Sequence, residues 1–250
     1  MGQVQIKNLL QDLKLKGMLE ALEHLSKQGV KDSWTSEEML DQLLQAEYDY
    51  REAQGSERRM KNSKLLRKPS LEDFDFEFKR KVSKIQIREL YSLNWLKQAR
   101  PLLLIGPTGI GKTFIAEALG KHACQSKNNI LFISMSDLLE QQQLAHLSGT
   151  YLKYKAKLLK YELLILDDLG LKKLNTQQAH DFCEILKDRQ GTKSVIITTQ
   201  LPIENWSEIL EDPVIADTIM DRLKHTAVKI ILDGPSYREV QSKKFDTASI

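Results

Sequence analysis

The sequence predicts an α/β fold, a three-layer α-β-α domain with a parallel sheet, preceded by a small helical N-terminal domain. Three observations lead to this prediction. Short, mainly apolar runs alternate with helical segments from residue 101 onward, as in parallel sheets with crossover helices. A glycine-rich segment follows the first apolar run, and a pair of aspartates follows the third. The strands are predicted at residues 102–105, 130–134, 163–166, 194–198 and 228–232.

The N-terminal part of the chain has helical periodicity. Apolar residues at helical spacing predict one helix over residues 3–28. Thr35 and Glu38 have the spacing of a capping box, which predicts the start of a second helix. We expect this helix to continue through a basic stretch to about Leu66, because Pro69 cannot continue it.

Three regions are predicted along the chain. Residues 1–68 form a helical N-terminal domain with a basic arm, residues 69–100 form a linker and a leading helix, and residues 101–250 form the α/β domain. Aromatic and acidic residues alternate in the linker segment SLEDFDFEF at 70–78, and its aromatic side chains are expected to dock on the α/β domain. An amphipathic helix is predicted at 80–97.

Composition indicates a globular protein with no membrane segment. Hydrophobic residues make up 41% of the chain and charged residues 28%, both ordinary values for soluble domains. No apolar run reaches the length of a membrane span, and no secretory signal pattern is present at the N-terminus. Two cysteines give no disulfide framework. These observations predict a cytoplasmic protein without a membrane partner.

Positive charge is clustered although the net charge is only +3. Basic residues concentrate at 51–68, 79–88 and 153–160. Such clusters are often solvated helix faces, but three of them in one chain also fit a polyanionic partner such as nucleic acid. The arm residues predicted to contact DNA phosphates are Arg58, Arg59 and Lys61.

The segment GPTGIGKT fits the phosphate-binding P-loop pattern G-x-x-x-x-G-K-[ST]. Glycines let successive backbone N–H groups point at phosphates. Lys112 places a point charge on the β- and γ-phosphates, and the Thr113 hydroxyl is suited to Mg²⁺. We therefore expect ATP and Mg²⁺ as cofactors. The predicted nucleotide-binding residues of this segment are Gly106, Pro107, Thr108, Gly109, Ile110, Gly111, Lys112, Thr113 and Phe114.

Two carboxylates end the third predicted strand, in LLILDDLG. A buried strand that ends in acid is the Walker B pattern, in which Asp167 holds Mg²⁺ and Asp168 activates the attacking water. Both would lie at the carboxyl edge of the sheet, where such folds bind ligands. Gln200 follows the next strand and is a candidate for contacting the γ-phosphate or orienting the water. A merely polar strand end is the alternative interpretation of Gln200.

Two arginines near the C-terminus are candidates for stabilising transition-state charge. Arg222 lies in MDRLKH and Arg238 in GPSYR. Arginine is a common source of positive charge in phosphoryl transfer. A surface salt bridge is the alternative interpretation for each of them.

Taken together and in order, LEDFDFEF, GPTGIGKT, LLILDDLG, TTQLPIENW, MDRLKH and GPSYR resemble the IstB/DnaC-like group of AAA+ ATPases, and most closely its IstB-like members, the helper ATPases of insertion-sequence transposition. The resemblance implies an AAA+ domain without a full helical lid. It also implies a sensor role for Gln200, an arginine finger at Arg222 and a second sensor at Arg238. Phe114 departs from the histidine that many relatives have there.

The resemblance further implies a function. The expected activity is Mg²⁺-dependent ATP hydrolysis by a regulator that oligomerises head-to-tail on duplex DNA, independently of sequence, and recruits or activates a transposase. A loader of a replicative helicase is the alternative, and a nucleotide-dependent scaffold with little hydrolysis is a third. Related DNA-loading ATPases carry DNA-contacting helices between the second and third strands, which adds Tyr151, Lys153 and Lys155 as DNA-contact candidates.

Overall fold

A parallel sheet is the centre of the computed structural model, which describes residues 3–28, 34–78, 81–237 and 239. Its strands are β1 (Leu102–Ile105), β2 (Ile130–Ser134), β3 (Leu163–Leu169), β4 (Ser194–Thr199) and β5 (Val228–Ile231). They are ordered β2-β3-β4-β1-β5, and every neighbouring pair is parallel. All carboxyl ends therefore meet at one edge of the sheet.

Helices precede the sheet and connect its strands. No helix in the described part of the chain is both long and apolar enough to cross a membrane. The helices are α1 (Gln3–Asp12), α2 (Lys16–Gln28), α3 (Ser36–Asn62), α4 (Lys84–Tyr91), α5 (Asn94–Lys97), α6 (Lys112–Gln125), α7 (Met135–Leu147), α8 (Tyr151–Leu158), α9 (Thr176–Arg189) and α10 (Pro213–Thr226), with 3₁₀ turns at Leu71–Asp73 and Ile203–Glu208.

Helices cover both faces of the sheet. Alternate residues of β1 enter different cores: Leu103 and Ile105 pack with α7, α9 and α10, whereas Leu102 and Leu104 pack with α4, α5 and α6. Strands buried on both faces read as continuous apolar runs, which is why the sequence predicts them well. The predicted three-layer fold with a parallel sheet is confirmed.

The chain divides into two compact units, Met1–Arg58 and Arg59–Ile250. The first unit is helical, as predicted. A Cβ atom on Gly17 would lie 2.5 Å from the carbonyl oxygen of Ala46, so α2 packs closely on α3 at a position without a side chain. Glu47 is buried there and accepts a hydrogen bond from the backbone N–H of Met18. The predicted domain bounds at residues 68 and 100 stay predictions.

The single helix predicted over residues 3–28 is wrong, because the chain forms α1 and α2 instead. Lys14 has a left-handed conformation, with φ of 58°. The backbone N–H of Leu15 donates to the carbonyl of Leu10, and that of Lys14 donates to the carbonyl of Gln11. These bonds form a Schellman motif that ends α1.

The predicted extension of the second helix to about Leu66 is also wrong. The helix α3 ends at Asn62, and Lys64 takes a left-handed conformation with φ of 58°. Leu65 then enters the core beside α6. Glu117 Oε1 accepts the backbone N–H groups of Leu66 and Arg67 at 2.8 and 3.1 Å. Burial of Leu65 and these two hydrogen bonds draw the chain away from a helical path.

The amphipathic helix predicted at 80–97 is divided into α4 and α5 at Leu93, which has φ of 56°. In the preceding linker, Phe74 is buried in the core, and its ring centroid lies 5.8 Å from that of Phe114. Phe78 makes an edge contact with Tyr237. The linker aromatics thus dock on the α/β domain.

Candidate nucleotide-binding site

The P-loop connects the carboxyl end of β1 to the first residue of α6. Gly109 and Gly111 have φ of 78° and 111°, values that side-chain-bearing residues rarely adopt. Gly111 is the N-cap of α6, a helix of 14 residues. The unpaired N–H groups and positive dipole end of this helix therefore face the loop, which suits a bound phosphate.

Close packing also requires glycine in this loop. A Cβ atom on Gly109 would lie 2.3 Å from Ser236 Oγ, and one on Gly106 would lie 2.3 Å from the carbonyl oxygen of Leu232. The backbone N–H of Tyr237 donates to the carbonyl of Gly109 at 3.0 Å. The segment after β5 thus supports the P-loop from one side.

Lys112 lies beneath the loop and is only 5% exposed. Its Nζ donates to the carbonyl oxygens of Gly106 and Pro107, at 2.8 and 2.9 Å. These contacts hold the ammonium group inside the curve of the loop. A compact point charge in this position is suited to bind phosphate oxygens.

Asp167 joins the two motifs. The Thr113 hydroxyl donates to its two carboxylate oxygens at 3.0 and 3.1 Å, and the Thr198 hydroxyl donates to Oδ1 at 2.6 Å. Burial raises the pKa of Asp167, the hydroxyl of Thr198 opposes this shift, and the charge of Asp168 adds to it. A nearby cation would favour the ionised form of this carboxylate.

Asp168 is displaced from the strand by a β-bulge. Leu166 pairs with Ile197 and Leu169 with Thr199, so two residues of β3 oppose the single residue Thr198 of β4. Asp168 has φ of 61°, and its backbone N–H donates to Thr198 Oγ1 at 2.9 Å. The bulge leaves the side chain of Asp168 half-exposed at the sheet edge, while Asp167 is buried.

Thr198 is a site residue that sequence reasoning missed. It is fully buried, and its hydroxyl contacts both aspartates of the Walker B pattern. The only signal in the sequence is the pair of threonines that ends SVIITT. Threonine is common in strands, so that signal does not distinguish a site residue from an ordinary one.

The donor set fits Mg²⁺ shared with a nucleotide. Thr113 and Asp167 offer a hydroxyl and a carboxylate, the hard oxygen ligands that Mg²⁺ prefers. Within the described residues there is no group of three or more acidic, histidine or cysteine side chains that could hold a metal alone. An ion held by one or two protein groups and substrate phosphates is the usual arrangement for Mg²⁺.

The other predicted residues of this site lie at or near the same edge. Ile110 is fully buried, Pro107 and Thr108 are exposed, and the ring of Phe114 packs towards Phe74. Gln200 is exposed and follows β4 directly. The backbone N–H of Gly106 donates to the carbonyl of Thr199 at 3.1 Å, so Gln200 begins beside the P-loop.

Arg222 lies at the opposite edge of the sheet. It is on α10, and its Nη1 donates to Gln190 Oε1, just ahead of the first residue of β4. The helix α10 ends at Thr226, and β5 begins two residues later, where Val228 pairs with Leu102, the first residue of β1. The end of α10 therefore lies at the amino edge of the sheet. The six residues of β4 span roughly 20 Å at about 3.3 Å per residue. Arg238 lies outside the described residues.

The DNA-contact candidates have different environments. Arg58 and Lys61 are exposed, whereas Arg59 donates from Nε to the carbonyl oxygen of Cys124 at 2.9 Å. Lys153 is exposed as well. The ring of Tyr151 stacks on His146, with 4.0 Å between ring centroids, and Lys155 forms ion pairs with Glu184 and Asp188.

Comparisons with known proteins agree with this geometry. A family model described as IstB-like ATP binding protein matches residues 8–245. A protein of Sinorhizobium fredii named an insertion sequence ATP-binding protein is 37% identical over 235 residues, which are 94% of this chain and 96% of that protein. An IS21 insertion sequence ATP-binding protein of Pseudomonas aeruginosa is 31% identical over 96% of this chain and 91% of its own length.

The fold is similar to those of solved AAA+ proteins. The AMPPCP-bound DnaA of Aquifex aeolicus has a TM-score of 0.58 at 20% identity, and the match covers 74% of this chain and 56% of that one. The DnaC helicase loader has a TM-score of 0.52, also at 20% identity, over 59% of this chain and 86% of that one. With an AAA+ fold, a P-loop joined to a Walker B carboxylate and a family match along most of its length, the chain belongs to the family of IstB-like ATP-binding proteins.

Proposed function

We propose that this protein is a Mg²⁺-dependent ATPase that assembles on duplex DNA and recruits or activates the transposase of an insertion sequence. The observation that carries the ATPase part is the contact between Thr113 and Asp167, because it joins the P-loop to the Walker B strand. The insertion-sequence part is supported by the names of relatives that match nearly the whole chain.

Each residue at the sheet edge has a separate task in this proposal. Lys112 and the N–H groups of the P-loop bind the phosphates of ATP. Thr113 and Asp167 hold Mg²⁺, which offsets negative charge on the β- and γ-phosphates. Asp168 accepts a proton from the attacking water. Gln200 orients that water from the end of β4.

Arg222 acts on the ATP of a neighbouring subunit in this proposal. Its support is the position of Arg222, about the full length of β4 from the P-loop of its own chain. Arg222 lies at the amino edge of the sheet, and the ATP site lies at the carboxyl edge. Arg222 can therefore reach a neighbour's ATP only if the subunits contact one another head-to-tail. Such a contact is heterologous and produces a ring or an open helix.

DNA and transposase binding, together with a cytoplasmic location, are part of the same proposal. The exposed cations of the N-terminal arm, Arg58 and Lys61, would contact backbone phosphates without reading base sequence. DNA would raise the local concentration of subunits and complete more trans sites, so duplex should stimulate hydrolysis.

The test is ATP hydrolysis by the full chain with duplex, with single-stranded DNA and without DNA. We expect Mg²⁺-dependent turnover that duplex increases more than single strand does. Lys112→Ala is the control, since it removes the charge that binds phosphates and should abolish tight ATP binding. Stimulation by single strand alone would favour a helicase loader, and the absence of turnover would favour a nucleotide-dependent scaffold.

A further inference from the structure

Two basic stretches that are about a hundred residues apart in sequence meet at one pocket. Arg59 comes from the stretch at 51–68, and Lys157 and Lys160 come from the stretch at 153–160. We propose that this pocket seats one phosphate of the DNA backbone, an inference that rests on the proposed DNA binding and gives it a specific site. The pocket encloses about 220 Å³ and is lined by Arg59, Asn62, Asn129, Ile130, Lys157, Lys160 and Tyr161.

Arg59 lines this pocket and, within the described ranges, has one donor without a hydrogen-bond partner. Its Nε donates to the carbonyl oxygen of Cys124, which fixes the guanidinium group. Its Nη2 is buried and has no hydrogen-bond partner among the described residues. A buried charged donor without an acceptor is costly. A phosphate oxygen would satisfy it, because guanidinium groups bind phosphates through several N–H donors at once.

The charges of Lys157 and Lys160 can act on a ligand in the pocket. Both are exposed, and neither forms an ion pair within the part of the chain that the structure describes. By contrast, Lys155 is paired with Glu184 and Asp188. In the basic stretch at 153–160, Lys155 is therefore used in ion pairs within the fold, whereas Lys157 and Lys160 can bind an anion.

Polar neutral groups complete the lining. Asn62 and Asn129 line the pocket, and their side-chain amides can donate hydrogen bonds to phosphate oxygens. Glu162, which follows the lining residue Tyr161, is acidic. Its Oε2 accepts a hydrogen bond from the backbone N–H of Asn129 at 2.7 Å. The pocket thus gathers three cations and two amides, which is the chemistry of a phosphate site.

The position of the pocket separates it from the ATP site. Asn129 directly precedes β2, and Tyr161 lies just before β3, so the pocket is at the amino edge of the sheet. The P-loop is at the carboxyl edge, a distance of the five residues of β2, roughly 17 Å at about 3.3 Å per residue. A phosphate can therefore bind here while ATP occupies its own site.

A DNA phosphate fits better than a free nucleotide. The pocket is open to solvent and is lined mainly by cations and amides, with Ile130 and Tyr161 as its two apolar side chains. The exposed side chain of Lys61, next to the lining residue Asn62 in sequence, adds positive charge near the end of α3. This added charge suits a backbone that carries one phosphate after another.

The test is the salt dependence of duplex binding by the full-length double variant Lys157→Gln/Lys160→Gln. Affinity is measured for two duplexes of unrelated sequence over a series of salt concentrations. We expect the slope of log affinity against log salt to fall by about 0.9, the value for one lost phosphate contact, and equally for both duplexes. ATP affinity should stay at the wild-type value, because the pocket is at the other edge of the sheet.

The matched control is Lys97→Gln/Lys187→Gln, which removes the same charge from exposed positions on α5 and α9. Its slope should equal that of the wild type. An unchanged slope in the pocket variant, or an equal fall in both variants, overturns the proposal while duplex binding itself stands. If the wild-type protein does not bind duplex at all, the proposed DNA-binding function is wrong, and so is the assignment of a DNA phosphate to the pocket.

A second measurement identifies the source of the phosphate. Amine-reactive labelling of Lys157 and Lys160, read by mass spectrometry, is compared with duplex, with inorganic phosphate and with neither. Protection by duplex at concentrations where inorganic phosphate gives none supports the proposal. Protection by inorganic phosphate and none by duplex overturns it.

Discussion

Asp167 and Asp168 are adjacent residues with different surroundings. Asp167 is 7% exposed and accepts hydroxyl donors from Thr113 and Thr198. Asp168 is turned out of the strand by the bulge and is half-exposed. A buried, oriented carboxylate suits a metal, whereas a mobile proton acceptor needs access to water. The division of labour proposed for the pair follows from this difference.

Replacing Asp168 by Asn should separate binding from hydrolysis. The amide keeps the size of the side chain but cannot accept a proton from water. General-base catalysis contributes about 10²–10⁴ in rate, so we expect turnover to fall by that order while ATP affinity stays close to wild type. Steady-state hydrolysis and equilibrium nucleotide binding measure the two quantities. Turnover at the wild-type rate would show that another group is the base.

Asp167→Asn tests the electrostatics of the buried carboxylate without metal. Because burial raises the pKa of Asp167 above 3.8, the native state holds this proton more tightly than the unfolded state does. Wild-type stability should therefore increase relative to the Asn variant as pH falls from neutral through the raised pKa. Urea unfolding of both proteins in metal-free buffer gives the difference in free energy. A difference in free energy that does not change as pH falls, or that changes in the opposite direction, would contradict the raised pKa.

Helix ends are the elements that the sequence predicts least well. The chain leaves α1 at Lys14 and turns after α3 at Lys64, both in left-handed conformations. Glycine or asparagine usually marks such positions, and lysine gives no warning of them. The strands β1 to β4, in contrast, are almost wholly buried, and all five strands are found within a few residues of their predicted bounds.

Tertiary contacts, rather than local propensity, decide the path of residues 65–67. Glu117 on α6 is 2% exposed and accepts two backbone N–H groups from this segment. Glu117→Ala should lower the free energy of unfolding by about 2 kcal/mol, because it removes two hydrogen bonds that contribute about 0.5–1.5 kcal/mol each. Chemical denaturation measures this change.

Glu117→Gln is the matched control for that variant. It keeps an acceptor oxygen at the position of Oε1 and should retain most of the stability. Equal losses in the Ala and Gln variants would mean that the charge, and not the pair of hydrogen bonds, holds the segment.

At the scale of the whole molecule, sequence motifs locate the nucleotide site but not the relations between distant residues. The P-loop and Walker B patterns predict which residues meet at the carboxyl edge, since the ends of parallel strands must converge there. No motif signals that Arg59 and Lys157 line one pocket, or that Arg222 lies at the far edge. Both facts depend on how helices pack, which no short pattern encodes.

The position of Arg222 makes assembly central to the account. Within one chain, the described residues at the ATP site provide Lys112 as the cation of the P-loop. An arginine finger supplied in trans contributes about 10³–10⁵ in rate. Arg222→Ala should therefore keep ATP affinity, lose most hydrolysis and lose its stimulation by duplex. Duplex-stimulated turnover near the wild-type level would contradict the proposed role of Arg222.

The most direct test of this central claim is ATP hydrolysis by a mixture of Arg222→Ala and Lys112→Ala. Each variant alone should be nearly inactive, because Arg222→Ala lacks the arginine finger and Lys112→Ala does not bind the phosphates of ATP. In a mixed assembly, the intact site of Arg222→Ala meets the intact finger of Lys112→Ala, and we expect the mixture to regain measurable turnover. A mixture that stays inactive although the two variants demonstrably co-assemble, or full-rate hydrolysis by dilute wild-type monomer, would contradict the trans mechanism.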